Sequence, residues 1–551
     1  MLAKVDEKQY EASEKEAYNE GCLEVVANED LSSESITSIS PNPFSDPKVA
    51  KYYEEVYEGC KYECREAFDP LFEWDIQEES KLRKRLDVRV ALVSCVMFVA
   101  LQIDRGNLAQ AVSDNMLDDL NLTTADYNLA NTVFSVSFLA AELPSQLISK
   151  WLGPDRWIPT QMILWSIVAT SQAALRGRSS LLVCRSLIGI LEGGFIPDLV
   201  LWLSYFYTSR ELTLRLSWFW TTLSLTQIVT ALLAAGILNM RGIAGWAGWQ
   251  WLFLIEGLIT LLIGIASIFL MVPSAAQTKA PWRPNGWFDE REVKIVVNRV
   301  LRDDPSKGDM SNRQALTLGM IWKSLSDYDL WPIYIIGFLA YIPTQTANTY
   351  LTLTLRLLNY TTFQTNLLTI PPTVIHIITL LLITWLSERL NERSIVSLLV
   401  PMVQIPLIAV LRWWKGSMIN SWGTWAVCTL FIGLSPYIHA ICVSWASRNS
   451  NSIRSRSVSA ALYNMFVQVG SIVASNIYRP DDAPLYHRGN LNLFILSVAM
   501  IPLLIMTKAY YVFANKRRDR KWKEMTVEER EQYVNYSTDQ GNKRLDFRFD
   551  S

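Results

Sequence analysis

The side chains of this sequence that could do chemistry are charges set inside long apolar runs. Asp104 and Arg105 interrupt the apolar segment 89–110, Glu142 the segment 127–149, Arg185 and Glu192 the segment 180–205, and Glu256 the segment 251–272. At the centre of a membrane helix an Asp or Arg costs about 3 kcal/mol on insertion scales, so such residues face a cavity or a partner. A guanidinium offers a planar fork that fits a carboxylate or sulfonate. Arg105 is the first candidate to grip an anion and Arg185 the second. A buried carboxyl can hold a coupling proton, because burial and a nearby guanidinium act on its proton affinity in opposite senses. Asp104 and Glu192 are the candidates for that role, and Asp198 lies nearer the end of its segment.

Depth groups these residues. At about 1.5 Å per residue, Asp104 and Arg185 both lie roughly 10 Å or less from one membrane face. Glu192 follows Arg185 by seven residues, nearly two turns, so both share a helix face with Glu192 near the midplane. Asp104 and Arg105 are consecutive and point about 100° apart. One can pair with the fourth segment while the other faces the cavity. For Asp104 and Arg185 a permanent interhelical ion pair is the plain alternative to a working role. For Glu192 it is a neutral carboxyl hydrogen-bonded between helices.

Positioning these charges takes a membrane. Runs of about 20 apolar residues, such as 252–272 and 491–511, fit spanning helices. Hydropathy places six spans near 89–110, 127–149, 157–176, 180–205, 216–238 and 251–272. Six more fall near 328–353, 365–387, 394–413, 422–446, 457–478 and 491–514. The expected fold class is an all-α membrane protein of twelve transmembrane helices in two six-helix halves, 81–272 and 328–514. A polar central loop, 273–327, joins them around a midplane site. Across 551 residues the 51 Lys+Arg nearly balance the 53 Asp+Glu. That balance hides an acidic tail, 1–80, with 21 acidic and 7 basic residues, expected to be disordered apart from 68–76, which can dock on the body. The tail 515–551 is polar.

Basic clusters at Lys81, Arg83, Lys84, Arg85 and Arg89, and again at Lys516, Arg517, Arg518, Arg520 and Lys521, put both tails and the central loop in the cytosol. The sequons at Asn121 and Asn359 then fall outside and are candidate glycosylation sites, whereas the one at Asn535 falls inside. A soluble enzyme, a nucleic-acid binder and a secreted disulfide scaffold are excluded. Three His and seven scattered Cys offer no metal centre, and Cys60 and Cys64 lack further ligands. No Gly-x4-Gly-Lys-Ser/Thr loop cradles a phosphate. No cofactor is expected beyond the proton as coupling ion.

Several stretches resemble a known family. Leu101-Gln-Ile-Asp-Arg-Gly-Asn107 is similar to the Asp-Arg signature of the anion:cation symporter branch of the major facilitator superfamily. So are Arg185-x3-Gly189-x2-Glu192-Gly-Gly194 and Gly245-Trp-Ala-Gly-Trp-Gln-Trp-Leu-Phe-Leu-Ile-Glu-Gly257. Ala141-Glu-Leu-Pro-Ser-Gln146, followed by Leu152-Gly-Pro-Asp-Arg-Trp157, resembles the fungal allantoate permease group within that branch. The resemblance covers about 70–525. It implies the major facilitator fold and a plasma-membrane symporter that takes up small organic anions with protons, and it points to the same charged positions. Members of the family carry allantoate, nicotinate, pantothenate, biotin, cysteine or sulfonates. Lys150 departs from the pattern: it stands where the loop after the second span usually carries Asp.

Other intramembrane groups are weaker candidates. Gln345, Thr346 and Asn348 could touch substrate from the second half, as could Asn464 and Gln468, which share a helix face. Interhelical hydrogen bonding is the plain alternative. His376 and His439 fit packing or pore lining, Glu142 sits before Pro144, and Glu256 reads as structural. Gly189 and Gly193 should let another helix approach closely. The transport unit is expected to be a monomer in the lipid bilayer, with Ser and Lys in the tails open to a kinase or ubiquitin ligase. A non-transporting nutrient receptor, or an uncoupled facilitator or exchanger, would share these features.

Overall fold

The computed structural model describes residues 42–59, 62–308, 325–450, 453–526 and 541–551, with Trp322, Glu529, Arg530 and Tyr533. Residues 1–41 of the acidic tail, Cys60, most of 309–324 and the sequon at Asn535 lie outside the described residues.

Twelve helical segments make the body. In the first half α1 is Leu92–Ser113, α2 Thr124–Leu152, α3 Pro154–Ser171, α4 Arg178–Glu192 with Phe195–Ser204, α5 Ser209–Ile237 and α6 Gly248–Leu270. In the second half α7 is Trp331–Leu357, α8 Thr362–Leu368 with Ile370–Leu390, and α9 Ser394–Ser397 with Leu399–Trp413. Then come α10, Ser421–Gly433 with His439–Ser450, α11 Ile453–Ala474 and α12 His487–Glu524. No strand occurs among the described residues. By length and composition alone, α1, α4, α6, α8, α9 and α12 are apolar enough to cross a membrane. The others carry more polar residues, including Glu142, Asn348 and Gln468.

The packing repeats. In the first half α1 lies on α5, α2 on α4 and α3 on α6; in the second, α7 lies on α11, α8 on α10 and α9 on α12. Each pair recurs six helices later. Even the interruptions recur. α4 breaks at Gly193 and Gly194, the latter at φ 84°, and its counterpart α10 breaks between Gly433 and His439, where Pro436 cannot continue a helix. Interrupted helices at matching positions of two halves mark a binding site in this architecture.

The halves meet at the end away from the tails. Thr352 Oγ1 donates to the Ala109 carbonyl at 2.8 Å, Arg356 Nη2 to Asn115 Oδ1 at 2.7 Å, and Asn366 Nδ2 to Ser113 Oγ at 2.9 Å. Beside them, Asn128 Nδ2 donates to the Tyr478 carbonyl at 2.8 Å and Asn476 Nδ2 to Thr132 Oγ1 at 2.7 Å. Among the described residues the hydrogen bonds joining the halves all lie at this far end.

The tail end is organised differently, and it corrects the expectation of disorder for the part of 1–80 that is described. The described residues of 42–80 are folded. Asn42 caps the chain before Phe44, a helix runs Pro47–Gly59, and a second runs Ile76–Leu86 into α1. Phe44 and Tyr57 are buried, and their rings meet Phe68 edge-on at 5.0 and 5.1 Å. A central-loop helix, Glu290–Asp303, completes this cap. Its Ile295, Val296, Val300 and Leu301 are buried, and Asn298 exchanges hydrogen bonds with the backbone of Asp69 and Ala67. Arg299 then joins the cap to Glu211 of α5 at 3.1 Å. Aromatic anchors spaced through an acidic segment supply the apolar area that average composition concealed. The last residues fold onto the other half, where Trp445 Nε1 donates to the Asp550 carbonyl at 2.8 Å.

Glycine sets the spacing of α2 and α4. A Cβ at Gly189 would lie 2.5 Å from the Phe134 carbonyl oxygen, and one at Gly193 would lie 2.8 Å from Ala141 Cβ. Both contacts bear out the close approach expected from the Gly-x3-Gly spacing. Gly189→Ala should therefore cost about 1–3 kcal/mol through forced separation of the helices. A Cβ at Gly236 meets nothing within 4 Å, so Gly236→Ala should not destabilise. Thermal unfolding of the purified variants in one detergent checks the contrast; equal melting temperatures would contradict it.

Candidate functional site

α1 and α4 hold four of the charged residues within the first half, and Arg105 is the one that reaches towards the second half. Arg105 Nε donates to Glu192 Oε2 at 2.8 Å, with the Arg105 side chain 21% exposed and Glu192 fully buried. The Arg105 guanidinium lies over the Phe138 ring of α2 at 4.6 Å. Its Nη2 is buried and has no partner. Across the gap, Arg105 lies within electrostatic reach of Tyr341 on α7.

The alternative of a permanent ion pair between Asp104 and Arg185 is not the arrangement found. Asp104 accepts from Trp165 Nε1 of α3 at 3.0 Å, and Arg185 Nη2 donates to Asn107 Oδ1 of α1 at 3.1 Å. No ion pair joins Asp104 to Arg185 among the described residues. The reason is rotational: consecutive residues on α1 diverge by about 100°, so the side chain turned to α4 is Arg105, and Asp104 is turned towards α3 and α6. Trp165 and Asn107 carried no signal in the sequence that would have marked them as partners. Their positions follow from packing alone.

Two more acids surround this centre. Glu256 on α6 is fully buried, within electrostatic reach of Asp104, and neither of its oxygens has a partner. Glu142 on α2 is 8% exposed and near Arg105, and no hydrogen bond engages its carboxyl among the described residues. A carboxylate without a donor or cation is costly in a low-dielectric site. The reading of Glu256 as a structural group therefore has no bond to support it.

The second half faces the charges with amides and phenols. Asn348 Nδ2 donates to the Tyr437 hydroxyl at 2.9 Å, and that hydroxyl donates to Gln345 Oε1 at 3.0 Å. Tyr437 sits in the α10 interruption, stacks on Tyr341 at 5.0 Å and meets the His376 ring at 4.9 Å. Asn464 and Gln468 on α11 are half-buried, with no hydrogen-bond partner among the described residues. His439 packs on Tyr463, its ring centroid 5.2 Å away. Tyr437 escaped the sequence reading, although Pro436 beside it marks the break that delivers it.

The sequence matches the family described as the Major Facilitator Superfamily over residues 94–475. The chain belongs to this superfamily. It is 47% identical over 526 residues to "Uncharacterized transporter YIL166C" of Saccharomyces cerevisiae, covering 95% of this chain and 96% of that protein. "Uncharacterized transporter C1039.04" of Schizosaccharomyces pombe is 26% identical over 81% of this chain and 85% of that protein. Among solved structures, a bacterial homologue of the human lysosomal transporter Spinster superposes with a TM-score of 0.57 at 14% identity, over 79% of this chain and 97% of its own. The D-xylose-proton symporter gives 0.55 at 13% identity, over 76% and 97%. These likenesses establish the facilitator fold and a multi-pass membrane transporter of this type.

In a facilitator of this geometry the Arg105–Glu192 pair is the coupled one. Arg105→Gln should destabilise by about 3 kcal/mol, the lower end for breaking a buried pair, because it leaves Glu192 uncompensated. Arg105→Gln with Glu192→Gln should regain most of that loss. Asp104→Asn and Arg185→Gln should combine more nearly additively. Thermal unfolding of the two double-mutant cycles decides, and stronger coupling in the second cycle would overturn the pairing.

Proposed function

We propose that this protein is a secondary active transporter that takes up a small organic anion together with protons by alternating access. The single observation that carries the reading is the Arg105–Glu192 pair with Arg105 Nη2 buried and unused. A guanidinium held by one carboxylate, with a donor to spare, can exchange that carboxylate for another. Protonation of Glu192 weakens its hold on Arg105 and frees the fork for a substrate carboxylate or sulfonate. Anion binding in turn favours the proton on Glu192. The two ligands bind with positive cooperativity, as symport requires.

Arg185 supports the anion from two turns nearer the far end of α4, and Asp104 shares the coupling work. Asn348, Asn464 and Gln468 contact the uncharged part of the substrate from the second half. The substrate is allantoate-, nicotinate-, pantothenate- or sulfonate-like, in keeping with the allantoate permease resemblance. The protein works as a monomer in the plasma membrane, with the proton as coupling ion and no other cofactor. Both tails and the central loop are cytosolic, under kinase or ubiquitin-ligase control, and the seal between the halves faces outward.

That orientation is tested by the sequons. Asn121 and Asn359 both occupy far-end turns at positive φ, 52° and 64°. At least one should carry glycan, so Asn121→Gln with Asn359→Gln abolishes the endoglycosidase mobility shift. A shift that survives the pair and vanishes with Asn535→Gln reverses the topology.

Uptake of labelled carboxylates and sulfonates in transporter-deficient yeast, at two external pH values, tests the transport reading. Arg105→Lys keeps the charge and loses the fork. With about 1.5–3 kcal/mol per charge-assisted bond, apparent affinity should fall about 10- to 150-fold. Glu192→Gln should keep substrate exchange and lose accumulation driven by the pH gradient. Wild-type affinity in the first variant, or full accumulation in the second, removes that residue from its role.

A further inference from the structure

Below the Arg105–Glu192 pair, the α2–α4 seam carries two acids that this mechanism does not use. Gly194 brings the helices together there: a Cβ on it would lie 2.5 Å from Ser145 Cβ and 3.3 Å from the Glu142 carbonyl oxygen. The Glu142 backbone is therefore beside the break that follows Glu192. Asp198 lies one turn further along α4, its amide bonded to the Gly194 carbonyl at 3.0 Å. From far end to tail end the seam reads Glu192, Glu142, Asp198: Asp198 lies six residues beyond Glu192, roughly 9 Å of helix rise, with the Glu142 backbone level with Gly194 between them.

Asp198 is the anomaly. It is 2% exposed, and its Oδ2 is buried with no partner. Ser149, one turn beyond Ser145 on α2, presents the one hydroxyl within reach of the Asp198 carboxyl, and no charged donor or amide reaches that carboxyl among the described residues. The side-chain donors that α3 turns to this seam are already committed. Gln161 Nε2 donates to Ser145 Oγ at 2.9 Å and to the carbonyls of Leu191 and Gly193, and Trp157 Nε1 donates to Ser145 Oγ at 2.9 Å. Among the described residues, the charged groups in electrostatic reach of the two acids are Arg105 from α1, which is near Glu142, and each other across the seam. A structural acid in such a place would be expected to accept a bond from α3, and neither does.

We propose that Glu142 and Asp198 form a proton relay that connects Glu192 with water at the tail end. At each hop one carboxyl O–H bond breaks and one forms on the next acid, so charge moves down the seam and the last proton passes to bulk water beyond Ser149. The relay rests on the proton-coupled reading of Glu192, and it gives that buried group a route past the substrate instead of through it. Ser145 stays committed to α3 and acts as a fixed wall of the path.

The test needs no substrate, so it stands apart from the uptake assays. Full-length protein in lipid nanodiscs is transferred into deuterated buffer, and infrared spectroscopy follows the C=O stretch of its protonated carboxyls. The component lost in Glu192→Gln identifies the Glu192 proton. In Glu142→Gln and in Asp198→Asn, exchange of that component should slow at least about tenfold, with the melting temperature unchanged. Glu142→Asp, which keeps an acid in place, should retain fast exchange and covers the case in which a neutral variant does not fold. Wild-type exchange in either neutral variant overturns the relay, because the two acids act in series. Absence of any component lost in Glu192→Gln overturns it as well.

Discussion

A guanidinium and a carboxylate buried against each other between α1 and α4 constrain everything around them. Arg105 and Glu192 are stable there only as a pair, since either alone would be an uncompensated charge in low dielectric. The pair is also incomplete, because Arg105 reaches Glu192 through Nε and leaves Nη2 without a partner. A fully satisfied pair would be a structural bolt. One with an open donor beside a phenol-lined gap is poised to change partners.

Holding that pair requires α2, α3 and α4 to be closer than side chains normally allow. Gly189 and Gly193 remove the atoms that would separate α4 from α2, and the break at Gly194 ends the helix directly after Glu192. α3 answers with bonds: Gln161 binds the carbonyls of Leu191 and Gly193, which the break would otherwise leave unmet. The second half solves the same problem with Pro436 and places a tyrosine where the first half places an acid. A charged wall therefore faces a neutral, hydrogen-bonding one. An anion that reaches Arg105 still has its uncharged part to satisfy, and Tyr437 with its two amides is the surface available for that.

Much of this was legible in the sequence. Apolar runs located most of the helices to within a few residues, although α5 starts at Ser209 and α12 runs on to Glu524, and the cost of intramembrane charge singled out Asp104, Arg105, Arg185 and Glu192. Rotation about α1 was not legible, because sequence alone permits either of two adjacent residues to face α4. Which of the two pairs with α4 was therefore open, and the structure gives it as Arg105, with Glu192. Trp165 and Asn107 look like ordinary membrane-helix residues until the fold sets them against charges. The fold of the described residues before 68 was hidden by averaging: net acidity masked Phe44 and Tyr57, which pack on Phe68 of the stretch expected to dock.

That cap has a consequence for motion. The described residues of 42–86 and the central helix Glu290–Asp303 pack on the first half alone, through Arg299 to Glu211 and to the Phe206 carbonyl. The chain's last residues pack on the second half alone, through Trp445 and Asn449 to Asp550. Neither cap bridges the halves among the described residues, whereas the far end is laced by hydrogen bonds across them. Opening the far end must break those bonds, most of them single neutral contacts worth about 1 kcal/mol each. Closing the tail end breaks nothing in either cap. Each half can therefore rock as a rigid body with its own cap attached, and the energy of the change is concentrated in the far-end seal and in the buried charges between α1 and α4.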